Sequence, residues 1–173
     1  GLIQQTRYPL RNRVIFLLSV KAGLRAKEIA SLTWDMVTDA EDRLSSEIHL
    51  RDVASKGRSG RVIPMNSELR GALVELIQHK RSSEHVITTE RAVRTSAQAI
   101  VNLFAGWYSA AGLRGCSSHS GRRTFITNAA KKVSSVGGSL RDVQMLAGHS
   151  SLSTTQRYIE ADSDAQRRLV DLI

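Results

Sequence analysis

The sequence predicts an α+β fold that is mainly α-helical, with a helical bundle and a small antiparallel sheet. Apolar residues recur at helical spacing through most of the chain, and two short runs of strand-forming residues are close enough to pair as a hairpin. The length of 173 residues, with 41% hydrophobic and 24% charged residues, is typical of one globular domain. We therefore expect residues 1–173 to form a single domain.

The first two predicted helices meet at a glycine. Pro9 suits the first turn of a helix, because its fixed φ matches helical geometry and its missing N–H is not needed there. Four apolar residues follow at helical spacing, namely Leu10, Val14, Leu17 and Leu18. Gly23 is a natural stop, and residues 25–32 predict a second, short helix. Arg25 therefore stands at the start of a helix.

A β-hairpin is predicted next. Residues 47–51 and 61–65 are short runs of strand type, and the intervening VASKGRSG is rich in Gly, Ser and charge. Lys56 then lies on or near the turn. Residues 67–79 predict a third helix, and residues 85–88 predict a third strand.

The remainder of the chain is predicted to be helical. A helix is expected over residues 120–133, and the helices on either side of it open with pairs that have capping-box spacing, Thr95 with Gln98 and Ser139 with Asp142. The first of these helices ends near Gly112. One short helix that holds Tyr158 and one over residues 162–172 complete the predicted order.

The balance of charge indicates a polyanionic partner. The chain has 25 Lys and Arg against 16 Asp and Glu, a net charge of +9 and a sequence pI near 10.4. Such a surplus is typical of nucleic-acid-binding proteins, although a merely basic surface explains it equally well. No apolar run reaches the roughly 20 residues that span a bilayer, and Cys116 is the only cysteine, which excludes an intramolecular disulfide. We expect a cytoplasmic protein without membrane attachment.

His149 and Tyr158 are nine residues apart, which would place them on opposite faces of one continuous helix. The serines between them favour a break, and Ser153 with Gln156 has the spacing of a capping box that restarts a helix. That reset can turn both side chains towards one site. Each residue alone also has a structural explanation, as a half-buried tyrosine or as a histidine at a helix C-terminus.

His119 and Arg122 are three residues apart, so they project side by side on a helix. An exposed basic helix face would explain this pair without any chemistry. Arg25 is similarly explained by pairing with Glu28, and Lys56 by solvation in a charged turn. None of these residues indicates catalysis by itself.

Taken in order, the chain shows AGLR-x-x-EI-x-x-L-x-W, a lysine in a hairpin, H-x-x-R, LAGH and TTQRY. Over residues 10–160 this set resembles the catalytic domain of the tyrosine recombinases, also called the phage integrase family. The resemblance implies that family's fold and the cleavage and rejoining of DNA strands through a covalent 3′-phosphotyrosine, without metal, cofactor or ATP. Two positions depart from the family's H-x-L-R-H pattern, since Gly121 and Arg123 stand in place of the leucine and the second histidine.

The resemblance implies six catalytic positions: Arg25 and Arg122 as the arginines at the phosphate, Lys56 as the hairpin lysine, His119 and His149 as the histidines, and Tyr158 as the nucleophile. These residue types suit the chemistry, because permanently charged guanidinium forks can neutralise phosphate oxygens without a metal. A tyrosine hydroxyl is mostly protonated at neutral pH, so the nucleophile must lose a proton. His119 is the candidate base, and Lys56 is the candidate acid for the departing 5′ oxygen.

The resemblance also implies double-stranded DNA as partner and a homo-oligomer, a tetramer, that exchanges its C-terminal helix, residues 162–172. Because the chain starts with Gly1 and not Met, we expect an excised catalytic domain from which the family's N-terminal core-binding domain is absent. A metal-dependent nuclease is disfavoured, since no carboxylates show ligand spacing. A type IB topoisomerase and a catalytically silent DNA-binding factor with the same fold remain open alternatives.

Overall fold

The computed structural model describes residues 1–52, 60–79, 83–89, 92–159, 167 and 169–173. The helices are α1 Pro9–Ala22, α2 Ala26–Ala30, α3 Ser67–His79, α4 Ala97–Ala110, α5 Ser120–Lys132, α6 Leu140–Ala147 and α7 Leu152–Gln156, and the strands are β1 Glu47–Leu50 and β2 Arg61–Pro64. Short 3₁₀ turns cover Leu2–Gln5, Trp34–Met36 and Val133–Val136. No helix in these described ranges is both long and apolar enough to cross a membrane.

Helix α1 is the central element, and it packs against α2, α3 and α5. It begins with Pro9 at its first turn and ends at Gly23, whose φ of 67° lies in the left-handed region that glycine adopts without strain. A side chain at Gly23 would also collide with the ring of Phe125 on α5. A side chain at Gly121 of α5 would likewise collide with Ser19 of α1. Two glycines therefore allow α5, which carries much of the candidate site, to approach α1 closely.

The predicted hairpin is confirmed as an antiparallel pair with Ile48 opposite Ile63, and both of these side chains are buried against the core. The third strand predicted over residues 85–88 is wrong. His85 forms only an isolated bridge with Thr33, and the described sheet has two strands. The reason is that the chain turns into the 3₁₀ segment Trp34–Met36 directly after the bridge, which leaves no extended partner.

Two predicted helix starts are displaced. Helix α4 is capped by Ser96, whose hydroxyl accepts the N–H of Ala99, rather than by the pair of Thr95 and Gln98. Helix α7 is capped by Ser151, whose hydroxyl accepts the N–H of Ser153, so Ser153 lies inside the helix that it was expected to open. In both cases a second hydroxyl residue near the predicted cap makes the actual cap, which spacing alone does not resolve.

The buried residues of the described ranges form two hydrophobic clusters. The larger one contains residues from the four helices α1, α2, α3 and α4 and from both strands of the hairpin, among them Leu18, Ile48 and Phe104. The smaller one consists of Ile126, Val143 and Ala147 from α5 and α6, with Tyr158 packed against it. The smaller cluster therefore supports Tyr158, the last residue of the candidate site along the chain.

Candidate active site

Arg25 lies directly before α2, as predicted, and is joined to Glu28 at the first turn of that helix. Its backbone N–H donates to Glu28 Oε2 at 2.8 Å, and its Nη1 donates to Glu28 Oε1 at 2.9 Å. The side chain of Arg25 is 25% exposed, whereas that of Glu28 is fully buried. Arg25 therefore pairs with Glu28, as the non-catalytic explanation of this residue predicted. The pairing leaves the Arg25 side chain partly exposed to solvent.

Glu28 also binds Arg61 from strand β2. Arg61 Nη1 and Nη2 donate to the two carboxylate oxygens of Glu28 at 3.0 and 3.1 Å, and Arg61 Nε donates to the carbonyl oxygen of Leu146 at 2.8 Å. Burial alone would raise the pKa of Glu28, but the hydrogen bonds and charge of Arg61 and those of Arg25 outweigh it and lower the pKa below 4.5. A charged Glu28 therefore connects α2, β2 and the end of α6.

Arg122 is the most deeply buried cation of the site, with 4% of its surface exposed. Its Nη1 donates to the carbonyl oxygen of Gly23 at 2.5 Å, and its Nη2 donates to that of Ala147 at 2.6 Å and lies 3.1 Å from His149 Nε2. Burial, reinforced by the charge of Arg25, lowers the pKa of Arg122 to about 10. The guanidinium is therefore still charged at neutral pH.

His149 follows the end of α6 and is held on both sides of its ring. Its Nε2 faces Arg122, and its Nδ1 lies 3.0 Å from the hydroxyl of Thr155. Gln144 Nε2 donates to the backbone carbonyl of His149 at 3.0 Å. Burial, together with the charges of Arg122, Arg25 and Arg61, lowers the pKa of His149 to about 4. The imidazole is consequently neutral at pH 7.

Tyr158 lies in the turn just after α7, half-buried, with its ring stacked on that of His149 at a centroid distance of 5.6 Å and an interplanar angle of 21°. Its backbone carbonyl lies 3.5 Å from the hydroxyl of Thr127, which holds the turn against α5. The break between α6 and α7, which the serines between them predicted, brings His149 and Tyr158 to one place.

One cavity of about 390 Å³ collects these side chains. Its described lining consists of Arg25, Gly115, Ser117, His119, Ser120, Arg122, Arg123, His149, Thr154 and Tyr158. His119 caps α5 and is exposed. The cavity thus brings together five of the six predicted catalytic positions, and no acidic side chain occurs in this described lining. The sixth, Lys56, lies outside the residues that the structure describes.

The described part of the chain contains no group of three or more His, Cys, Asp or Glu side chains that could hold a metal ion. What the cavity offers is a concentration of fixed positive charge around a phenol. Such a site suits an anionic ligand with one reactive atom near the Tyr158 ring.

A family model described as the phage integrase family matches residues 2–165. The chain belongs to the phage integrase family. It is 28% identical over 163 residues to tyrosine recombinase XerC of Syntrophus aciditrophicus, which covers 87% of this chain and 49% of that protein. It is 33% identical over 162 residues to tyrosine recombinase XerA of Thermococcus onnurineus, which covers 91% of this chain and 54% of that protein. The chain therefore spans about half the length of these curated relatives.

Solved structures of the family have the same fold. A crystal structure of XerA recombinase matches with a TM-score of 0.76 and 24% identity, over 99% of this chain and 61% of that one. XerH site-specific recombinase bound to its difH substrate matches with a TM-score of 0.75 and 19% identity, over 98% of this chain and 49% of that one. The predicted class, a helical bundle with a small antiparallel sheet, is confirmed as the fold of this integrase-family chain.

Sequence reasoning missed two residues of the integrase-family site. The sequence pattern predicts only a strand position for Arg61, yet its side chain is 5% exposed and binds Glu28. Thr155 belongs to the TTQRY pattern without a predicted role, although it is fully buried and contacts the ring of His149. An arginine that starts a core-facing strand is a usable signal for a buried ion pair, whereas nothing in the sequence marks Thr155 apart from Thr154.

Proposed function

We propose that this chain is a catalytic domain that cleaves and rejoins DNA strands at specific sites, as a tyrosine recombinase, through a covalent 3′-phosphotyrosine and without metal or ATP. The observation that carries the proposal is the cavity in which three arginines and two histidines line the same space as Tyr158. Family membership supports it, as do relatives named as tyrosine recombinases. The proposal extends to residues 1–173 as one catalytic unit.

In the proposed reaction the Tyr158 oxygen attacks the phosphorus atom and forms a P–O bond while the bond to the 5′ oxygen breaks. Arg25 and Arg122 neutralise the non-bridging oxygens, where charge builds up in the transition state. In the described part of the chain, three of the five N–H groups of Arg122 make contacts, so two remain for a phosphate. The reverse reaction by another 5′ hydroxyl rejoins the strand and conserves the bond energy.

Proton transfers accompany both steps. The hydroxyl proton of Tyr158 must leave as attack proceeds, and His119 at the exposed rim of the cavity is the proposed acceptor. The departing 5′ oxygen takes a proton, for which Lys56 is proposed from the sequence. Strand β2, which follows that segment, is anchored beside Arg25 through Arg61 and Glu28. His149 is proposed to hydrogen-bond a phosphate oxygen.

Double-stranded DNA is the proposed partner, in line with the XerH recombinase structure solved with its difH substrate and with the net charge of +9. A cytoplasmic location follows from that substrate. We further propose a tetramer on DNA that exchanges C-terminal segments. Support comes from the exposure of four apolar residues at the end of the chain, Leu169, Val170, Leu172 and Ile173.

Adduct trapping tests the proposal. A pool of nicked duplexes with a randomised core sequence is incubated with the protein, denatured and analysed for protein-linked DNA, with the linked peptide identified by mass spectrometry. We expect an adduct at Tyr158, and none from Tyr158→Phe at equal DNA binding. DNA binding without any wild-type adduct would overturn the proposal in favour of a silent DNA-binding factor. Adducts that only relax one supercoiled duplex and never join two would favour a type IB topoisomerase.

A further inference from the structure

Thr155 is a buried polar residue that touches the reactive part of the cavity without lining it. It lies in α7, three residues before Tyr158, and has no exposed surface. Its hydroxyl oxygen is 3.0 Å from His149 Nδ1, and its backbone carbonyl accepts the N–H of Tyr158 at 3.0 Å. One residue therefore contacts the ring of His149 and holds the turn that carries Tyr158.

The neighbouring arginine decides which nitrogen of His149 carries hydrogen. Arg122 Nη2 lies 3.1 Å from His149 Nε2, and a guanidinium can only donate. Nε2 must therefore present its lone pair, and the neutral ring carries its hydrogen on Nδ1. That N–H donates to the hydroxyl oxygen of Thr155, which acts as the acceptor in the DNA-free protein.

A bound phosphate requires the opposite arrangement. Phosphate oxygens only accept, so His149 can bind one through Nε2 only if that nitrogen carries hydrogen. The ring then releases one proton from Nδ1 to water and takes one up at Nε2 from water, so its charge does not change. The hydrogen bond from Arg122 Nη2 to Nε2 is given up in this step, and that N–H turns to a phosphate oxygen. Nδ1 becomes an acceptor, and the Thr155 hydroxyl rotates to donate to it. A hydroxyl group can serve in both states, whereas a carbonyl or carboxylate oxygen could serve in only the first.

We propose that Thr155 is a positioning residue that holds His149 in the Nδ1–H form before DNA binds and supports the Nε2–H form on the phosphate. Its catalytic consequence rests on the proposed recombinase function. The resting proton arrangement does not, because it is a property of the DNA-free protein. Among the described residues, the charges of Arg122, Arg25 and Arg61 act on His149, the Tyr158 ring stacks on it, and His119 and Arg123 line the same cavity.

The first test measures the ring nitrogens directly. Long-range ¹H–¹⁵N spectra of the wild-type protein without DNA, with His149 assigned by comparison with His149→Gln, should show the Nδ1–H form near pH 7. Thr155→Val, which has the same shape without the hydroxyl, should lose that signature, and Thr155→Ser should retain it. A wild-type ring in the Nε2–H form would overturn the proposal, whether or not any variant folds and whether or not the protein cleaves DNA.

The second test measures adduct formation in a single turnover at saturating DNA. Thr155→Val should react about tenfold more slowly at unchanged DNA affinity, since one hydrogen bond to the positioned ring is lost. Thr155→Ser should stay within about twofold of wild type, because it keeps that hydrogen bond. Thr124→Val is the matched control, because Thr124 is exposed on α5 and its hydroxyl binds only the carbonyl of Ser120 among described groups. Equal slowing by Val and Ser, or none by Val, would overturn the proposal.

Discussion

Arg122 shows how a buried cation is kept charged inside this protein. Its guanidinium has lost almost all contact with water, which lowers its pKa to about 10. The carbonyl oxygens of Gly23 and Ala147 replace part of the lost hydration, and they come from the ends of two different helices, α1 and α6. The positive charge is therefore fixed in position by the folded chain itself, which under the proposed function places it where negative charge develops on a phosphate.

His149 should make stability depend on pH. Its native pKa of about 4 lies below the ordinary 6.5, so the unfolded chain binds more protons between these values. The contribution of the neutral His149 ring to the free energy of unfolding is complete above pH 6.5. It is lost as pH falls towards 4, by an amount on the order of 1 kcal/mol after allowance for the partial exposure of the ring. Urea unfolding between pH 4 and 8 measures it.

The variant His149→Gln should lose this part of the pH dependence. His49→Gln is the control, since His49 is exposed on β1. Equal slopes for wild type and His149→Gln between pH 4 and 6.5 would contradict the assignment.

At the scale of elements, the Glu28 carboxylate joins three parts of the fold through Arg25 and Arg61. Glu28→Gln should destabilise the protein by on the order of 3 kcal/mol, because it leaves the buried Arg61 without a counter-charge. The loss should be full above pH 4.5 and shrink as pH falls through the lowered native pKa of Glu28, where the wild-type carboxyl is also neutral. Chemical denaturation at several pH values provides the measurement.

Glu68→Gln is the matched control for that experiment. Glu68 pairs with Lys21 at 3.3 Å, but both side chains are more than 40% exposed, so the change should be below about 1 kcal/mol. Equal losses of unfolding free energy for the two substitutions would show that burial of the Glu28 ion pair does not increase its contribution to stability.

The contact of α1 with α5 depends on Gly23, and Gly112 offers a comparison at nearly the same backbone angle. Gly23→Ala and Gly112→Ala both place a side chain at positive φ, 67° and 70°, which disfavours each by about 1–2 kcal/mol. Of the two, only Gly23 would bring the added carbon against another described residue, the ring of Phe125. Gly23→Ala should therefore cost about 1–3 kcal/mol more in unfolding free energy. Equal melting temperatures for the two variants would refute this reading of the interface.

At the scale of the whole molecule, the basic residues behind the net charge of +9 have different surroundings. Arg43 pairs with Asp39 and Glu41, whereas Arg123 lines the cavity and is exposed. If Arg123 contacts a DNA phosphate, Arg123→Gln should reduce the salt dependence of DNA binding by about 0.9 in the slope of log K against log salt concentration. Arg43→Gln, the control, should leave the slope unchanged. The titrations use Tyr158→Phe as the parent protein, which avoids cleavage. Equal slopes for this parent and for its Arg123→Gln and Arg43→Gln variants would show that Arg123 does not contact the DNA phosphates.

The order of helices and the hairpin were predictable because each has a local cause. Pro9 and Gly23 delimit α1, and Ser139 with Asp142 caps α6, as observed. The absence of a third strand from the described sheet was not predictable, since residues 85–88 have strand-type side chains but no extended partner. For the site, the sequence named Arg25, His119, Arg122, His149 and Tyr158, all of which line one cavity, yet it gave no distances among them.

By itself, the sequence determined the family, the helical class and the residue types that a phosphate site requires, because periodicity, capping and motif order are encoded by neighbours along the chain. Only the tertiary structure decided that Glu28 binds Arg61 and that Thr155 faces the ring of His149. It also decided that Arg122 is held by carbonyls at the ends of α1 and α6. Burial and hydrogen-bond partners depend on which distant segments pack together, and they set the protonation of each group once water is removed.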